Sequence, residues 1–92
     1  MLKLFRVRGE SMYPTYADGS RVLTLKLPSR WLKQGMPVVA NVADDTYIVK
    51  RVREVIDERH LVLSSDNEAT RSRYCGIPFQ SSKIVGKVVA AF

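Results

Sequence analysis

The sequence predicts an all-β fold, and three observations support that prediction. Several short runs alternate apolar and polar side chains, which is the period of a strand whose two faces differ. Glycine, proline and aspartate residues separate these runs with turn signals. No long stretch has the spacing of an amphipathic helix. At 92 residues, the chain is expected to form a single domain over residues 1–92.

The predicted strands are short and each is bounded by a turn signal. In chain order they are residues 2–8, 21–27, 37–42, 46–56, 60–63 and 84–91. Before the second strand, Pro14 presets φ and Asp18-Gly19 supplies a tight corner. Pro28 ends the second strand. One helical turn is then expected over residues 29–34, and a polar loop over residues 64–78.

The charge and the cysteine count limit the partners and the location of the protein. The chain has 15 basic and 9 acidic residues, a net charge of +6, which favours anionic partners. Because the charges and the aromatic residues are dispersed, a nucleic-acid-binding β-barrel is the weaker alternative.

A single cysteine cannot form a disulfide within the chain. No run approaches the roughly 20 apolar residues of a membrane span, and the N-terminus lacks a secretory pattern. The sequence predicts a cytoplasmic protein and is compatible with peripheral membrane contact.

Two short motifs carry the candidate chemistry. GESMYPT places Ser11 in a turn that contains glycine and proline, and TYIVKRV places Lys50 between Ile48 and Val52 on one strand face. Burial among apolar neighbours lowers the pKa of a lysine, as a base that works near neutral pH requires. The only histidine, His60, has no evident acidic partner, so a Ser-Lys pair is favoured over a Ser-His-Asp triad. The alternatives are an ordinary turn serine and a lysine whose ammonium group reaches solvent.

Together these motifs resemble those of the signal-peptidase/LexA superfamily of serine peptidases. GESMYPT is similar to its nucleophile motif and TYIVKRV to its lysine motif. The stretch 65–78 resembles a later signal-peptidase motif, and IVGKVVA resembles the closing strand, all in the family's order. The resemblance implies a β-barrel-like fold of mostly antiparallel strands. It also implies a processing or maturation endopeptidase in which Ser11 is the nucleophile and Lys50 the general base. No metal and no cofactor are expected.

The resemblance also implies roles for residues beside this pair. The backbone N–H of Ser11 would be one oxyanion donor. Gly9 occupies the position where bacterial signal peptidases have a serine hydroxyl in the oxyanion hole, so backbone donors are expected to suffice. Gly9, Met12 and Tyr13 are the candidate substrate-binding residues, although Met12 and Tyr13 would equally well cover the core. The substrate would be a protein or peptide segment bound as an extended strand.

The later motif departs from the family pattern. It is shorter than its counterpart in signal peptidases, and the serine that orients the base lysine there has only Thr70 and Ser72 as candidates here. Asp66 and Asn67 are expected to form a turn, with Arg73 as a candidate partner of Asp66. This shortened motif keeps a third alternative open, a peptidase fold that has lost activity and binds peptides or regulates a partner.

Overall fold

The computed structural model describes residues 2–9, 11–44, 46–67 and 76–92. These residues form one seven-stranded antiparallel sheet with the strand order β1-β2-β7-β3-β4-β5-β6. The strands are β1 (Leu2–Arg6), β2 (Arg21–Leu25), β3 (Pro37–Ala43), β4 (Thr46–Val55), β5 (His60–Ser64), β6 (Pro78–Gln80) and β7 (Ile84–Ala91). The prediction of an all-β fold is confirmed, and within the described residues the sheet is not closed into a barrel.

All the strands predicted from the sequence are present and differ only at their ends. The strand that the sequence analysis missed is β6. Its middle residue, Phe79, is buried between exposed Pro78 and Gln80. A strand of three residues with one apolar side chain is too short to show a period.

The helical structure within the described residues consists of short 3₁₀ turns. They cover Ser29–Trp31, inside the segment where a helical turn was predicted, and Ser81–Lys83. In the part of the chain that the structure describes, no helix has the length and apolar character needed to cross a membrane.

Buried apolar side chains form two clusters, one on each face of the sheet. Alternation along β3 sends Val38 and Ala40 into the first cluster and Val39 into the second. The other buried members of the first cluster are Leu32, Val52, Leu61, Leu63 and Phe79. The other buried members of the second cluster are Val7, Val22 and Val88.

The sheet curls around the second cluster. Phe5 of β1 and Tyr47 of β4 have ring centroids 5.1 Å apart, although β2, β7 and β3 separate their strands in the sheet. Strands at those positions in a flat sheet would be much further apart, since neighbouring strands are about 4.8 Å apart. The curl therefore brings the end of β1, and the loop that follows it, to the same place as β4.

Candidate active site

The loop between β1 and β2, here called the serine turn, is closed at its base by hydrogen bonds. The backbone N–H of Val7 donates to the carbonyl of Ser20 at 2.7 Å. The backbone N–H of Gly9 donates to the Asp18 carboxylate at 2.8 Å. Gly9 has a φ of +82°, a conformation that glycine adopts at little cost and other residues rarely adopt. These contacts fix the chain two residues before Ser11.

The serine turn separates its side chains into buried and accessible ones. A backbone bond of 2.8 Å from the Tyr16 N–H to the Met12 carbonyl makes one helical turn. Met12 has an exposed fraction of 0%, whereas Tyr13 is 52% exposed and Ser11 is half-buried. Of the two side chains predicted to contact substrate, Tyr13 is accessible to a ligand and Met12 is not. Burial places Met12 in the core, which was the alternative role.

Lys50 lies near the middle of β4 and is almost completely buried, with an exposed fraction of 3%. Val52 on the same strand face belongs to the first apolar cluster, and Ile48 packs against that cluster. The predicted burial of the lysine stem among apolar neighbours is therefore confirmed. Such a site penalises the charged ammonium relative to the neutral amine.

The amine of Lys50 is bound by the segment that follows β5. Its Nζ donates to Ser65 Oγ at 2.9 Å. The register of the β4–β5 hairpin explains this contact, because Arg51 pairs with Ser64. Because the strands are antiparallel, the residue before Arg51, which is Lys50, lies opposite the residue after Ser64, which is Ser65. Ser65 is the first of three consecutive residues, 65–67, that we call the clamp segment.

The other two residues of the clamp segment bind the serine turn and β4. Asp66 accepts two bonds of 2.8 Å from the Arg51 guanidinium group, one on each carboxylate oxygen. It also accepts a bond of 2.6 Å from the Thr15 hydroxyl. The backbone N–H of Asn67 donates to the carbonyl of Ser11 at 2.8 Å. The clamp segment therefore holds the serine turn and the lysine strand against each other.

The charges within this network stabilise one another. The bonds from Arg51 hold the pKa of Asp66 below its usual range, with a smaller contribution from the Thr15 hydroxyl. In return, the bond to Asp66 raises the pKa of Arg51. Arg51 also donates to the carbonyl of Gly35 at 2.7 Å, and burial raises the pKa of the neighbouring Tyr16. Since Asp66 is ionised and Arg51 charged at neutral pH, the network is intact there.

The partners predicted for Lys50 and Asp66 lie outside the described residues, whereas the contacts seen within the described residues were not predicted. The sequence analysis named Thr70 or Ser72 as the partner of the lysine and Arg73 as the partner of the adjacent aspartate. All three lie outside the described residues. In the structure the lysine binds Ser65 and the aspartate binds Arg51. The signal that sequence reasoning missed is the hairpin register, which places the residues just after β5 beside the lysine strand.

Ser11 and Lys50 line the same cavity, which has a volume of about 570 Å³. Its walls include apolar side chains from β1, β3 and β4, together with the start of the serine turn: Phe5, Val7, Val39, Tyr47, Ile48 and Val49. This volume is typical of ligand sites. The cavity thus holds a hydroxyl group and a buried amine among apolar side chains and the cationic side chains of Arg6 and Arg8. A hydroxyl and a basic amine are the two groups that acyl transfer by a serine requires.

His60 lies outside this cavity. It does have an acidic neighbour that the sequence analysis did not identify, since its Nδ1 is 3.2 Å from Asp57 Oδ1. The backbone N–H of Arg59 is the main reason that the pKa of Asp57 is lowered. His60 lines a separate cavity near β6 and is not among the residues that line the Ser11 cavity. In the described part of the chain, no group of three or more His, Cys, Asp or Glu residues is placed to hold a metal ion.

Comparison with known families agrees with the motifs. The model of the Peptidase S24-like family matches residues 1–89, a span that includes Ser11, Lys50 and the clamp segment. No curated protein matches the chain. The family match confirms the resemblance to the LexA/signal-peptidase superfamily of Ser-Lys dyad peptidases. Matched over nearly its whole length, the chain belongs to the Peptidase S24-like family.

Proposed function

We propose that the protein is a serine endopeptidase in which Ser11 is the nucleophile and Lys50 the general base. The observation that carries this proposal is the position of Lys50. It is buried, its Nζ is held by Ser65, and it lines the same cavity as Ser11. A structural lysine gains nothing from such a site, because burying an ammonium group costs free energy. A base gains a lowered pKa.

The proposed reaction starts with the neutral amine of Lys50. Ser11 Oγ attacks the carbonyl carbon of the scissile peptide bond, and Lys50 Nζ accepts the hydroxyl proton. The resulting tetrahedral intermediate collapses when Lys50 gives this proton to the leaving amine, which leaves an ester on Ser11. A water molecule then attacks the ester and transfers a proton to Lys50. Breakdown of this second intermediate returns a proton to Ser11 Oγ and releases the new carboxyl terminus.

The backbone of the serine turn is the proposed source of oxyanion stabilisation. Main-chain N–H groups suit this role when the protein holds them rigidly. The N–H of Ser11 is the proposed donor, whereas the N–H of Gly9 is already bound to Asp18. A Cβ atom on Gly9 would meet no atom within 4 Å. The space beside Gly9 is thus open to a substrate backbone, in keeping with the substrate-binding role proposed for this residue.

The proposed substrate is a segment of protein or peptide in an extended conformation. An extended segment places side chains alternately on its two sides, so shallow pockets can select some of them while main-chain bonds hold the rest. Exposed Tyr13 lies two residues after the nucleophile and is proposed to contact the substrate near the cleaved bond.

Ser65 is proposed as a positioning residue for Lys50. Because its hydroxyl accepts a bond from Nζ, the Ser65→Ala variant leaves that amine less well oriented. We expect kcat to fall while KM changes little, and the pH profile of kcat to shift. Ser65→Thr retains the hydroxyl and is expected to restore part of the rate. A purely structural role for Ser65 would lower stability without moving the pH profile.

The proposal is tested with a library of peptides derived from a digested proteome. The wild-type protein and Ser11→Ala are each incubated with the library, and newly formed termini are identified by mass spectrometry. We expect cleavage by the wild type at a recurrent sequence and none by Ser11→Ala. Ser29→Ala, which removes an exposed hydroxyl outside the Ser11 cavity, is the matched control and is expected to cleave normally.

Two outcomes would contradict the proposal. Cleavage by Ser11→Ala at the wild-type rate would show that another group is the nucleophile. Binding of peptides by the wild type without any cleavage would favour the inactive peptide-binding alternative. Circular dichroism and thermal unfolding of each variant establish that the fold is retained.

A further inference from the structure

A second cavity lies beside the Ser11 cavity. It has a volume of about 640 Å³ and is lined by three lysine side chains: Lys3, Lys26 and Lys83. These lysines come from β1, from the residue after β2 and from the 3₁₀ turn before β7. They are distant in sequence but lie on one surface because β1, β2 and β7 are neighbours in the sheet. We call this surface the lysine groove.

The two cavities share one lining residue, Tyr47. The ring of Tyr47 packs against Phe5, with centroids 5.1 Å apart. On β1, Phe5 lines the Ser11 cavity and Lys3, two residues earlier, lines the lysine groove. Side chains two apart on a strand point to the same side. The two cavities are therefore within reach of a single ligand in an extended conformation.

The lysine groove has an excess of positive charge. Asp44 is the acidic residue among those that line it, against three lysines. Within the described residues, neither the Arg51–Asp66 ion pair nor the Asp57–His60 contact involves these lysines. A concave surface lined by one sign of charge concentrates ligands of the opposite sign. The groove is thus suited to carboxylate groups.

We propose that the lysine groove binds acidic side chains of the peptide substrate, at positions away from the cleaved bond. This inference rests on the proposed peptidase function and adds a substrate class to it. Tyr47 and Lys50 are three positions apart on an extended strand, which is roughly 10 Å at about 3.3 Å per residue. The preferred glutamate or aspartate is therefore expected about three or more positions from the scissile bond. A peptide is favoured over nucleic acid because the groove adjoins, at Tyr47, the cavity that holds Ser11.

The test measures binding rather than cleavage, so it does not depend on catalysis. Ser11→Ala protein is titrated into fluorescently labelled peptides in which Glu or Gln is placed at each position in turn, and anisotropy is recorded. We expect a position at which Glu binds more tightly than Gln. Replacing Lys3, Lys26 and Lys83 with Gln is expected to weaken binding of that peptide roughly three- to thirtyfold, with exposed ion pairs as the guide. Added salt should reduce the preference.

The matched control is Lys33→Gln, which neutralises an exposed lysine outside the groove. It is expected to retain the preference for Glu. Equal affinity for the Glu and Gln peptides at every position, or a preference that survives the triple substitution, would overturn the proposal. So would a single-stranded oligonucleotide or an anionic lipid vesicle that binds more tightly than the peptides through the same three lysines. If binding behaves as expected and the wild type still cleaves nothing, the peptidase proposal fails and the groove assignment stands.

Discussion

Two contacts between a carboxylate and a nitrogen-containing side chain, both within the described residues, differ in what they connect. Arg51 and Asp66 are 15 positions apart, and their side chains are 31% and 15% exposed. Asp57 and His60 lie within one turn, and both side chains are largely exposed. The first contact joins β4, the clamp segment and, through Thr15, the serine turn. The second shapes only the turn between β4 and β5.

This difference shows where polar residues determine the site. An exposed local pair contributes little to stability, because solvent competes with it and the chain already holds its members close. A half-buried pair with two parallel bonds fixes both distance and angle between distant segments. The position of Ser11 relative to Lys50 therefore depends on Arg51 and Asp66. It does not depend on His60, although histidine is the more familiar catalytic residue.

The largest effect is expected from Asp66→Asn. This change keeps the shape of the side chain but removes the charge that Arg51 binds and replaces one acceptor oxygen with a donor. Hydrogen bonds to charged groups contribute about 1.5–3 kcal/mol, and partial exposure of Arg51 reduces the effect. We expect the free energy of unfolding to fall by about 2 kcal/mol and cleavage to be nearly lost. Urea unfolding and peptide cleavage measure the two effects.

The control for Asp66→Asn is Glu54→Gln, which neutralises an exposed carboxylate of β4. It should change neither the free energy of unfolding nor the rate of peptide cleavage appreciably. If Asp66→Asn keeps wild-type stability and activity, the clamp segment does not hold the site together.

A smaller effect is expected from Arg51→Lys. Lysine keeps the charge, but a single ammonium group cannot form the two parallel bonds to Asp66 together with the bond to Gly35. We expect a loss of about 1 kcal/mol in the free energy of unfolding and a partial loss of cleavage. Arg53→Lys, at an exposed position of β4, is the control. Equal behaviour of the two variants would mean that charge alone is sufficient at position 51.

The pH dependence of stability provides a separate test of the contribution of the Asp66 carboxylate. The pKa of Asp66 is lowered in the folded protein. As the pH falls, this carboxylate is therefore protonated in the unfolded chain before it is protonated in the folded protein. The stabilisation is complete above the unfolded pKa of about 3.9 and is lost as the pH falls toward the lower folded value. Chemical unfolding at a series of acidic pH values should show a weaker pH dependence for Asp66→Asn than for the wild type. Identical profiles would argue against the charged network.

The smallest effect is expected from Asp57→Ala. Asp57 accepts bonds from the backbone N–H groups of Arg59 and His60, so its loss should loosen the turn between β4 and β5. The Ser11 cavity should be unaffected, and cleavage should continue at the wild-type rate. A loss of activity as large as that of Asp66→Asn would remove the distinction between the two pairs.

The sequence was sufficient to predict the strands other than β6 and the two motifs. Alternation in β2 and β4 is a local property, so it predicts those strands without knowledge of their partners. Lys50 was correctly placed on an apolar face for the same reason. By contrast, the roles of Ser65 and Asp66 depend on the β4–β5 register, which includes an irregularity between Val52 and Glu54. A shift of one residue would send the same side chains to the other face.

The lysine groove likewise could not be predicted from local patterns in the sequence. Its three lysines are dispersed in the sequence, and that dispersal was taken to make a nucleic-acid-binding surface the weaker alternative. They lie together because β1 pairs with β2 and β2 pairs with β7. Pairing between strands that are distant in the chain is not revealed by the pattern within any one strand.

Lys50→Met gives the most direct test of the proposed Ser-Lys dyad. Methionine fills a buried apolar site in place of the lysine stem but has no amine to accept the proton of Ser11. We expect the variant to remain folded and to cleave an identified substrate roughly 10²–10⁴ times more slowly than the wild type, the usual contribution of a general base. Lys33→Met, at an exposed position, should cleave at the wild-type rate. A folded Lys50→Met protein that cleaves as fast as the wild type would contradict the role of Lys50 as the base.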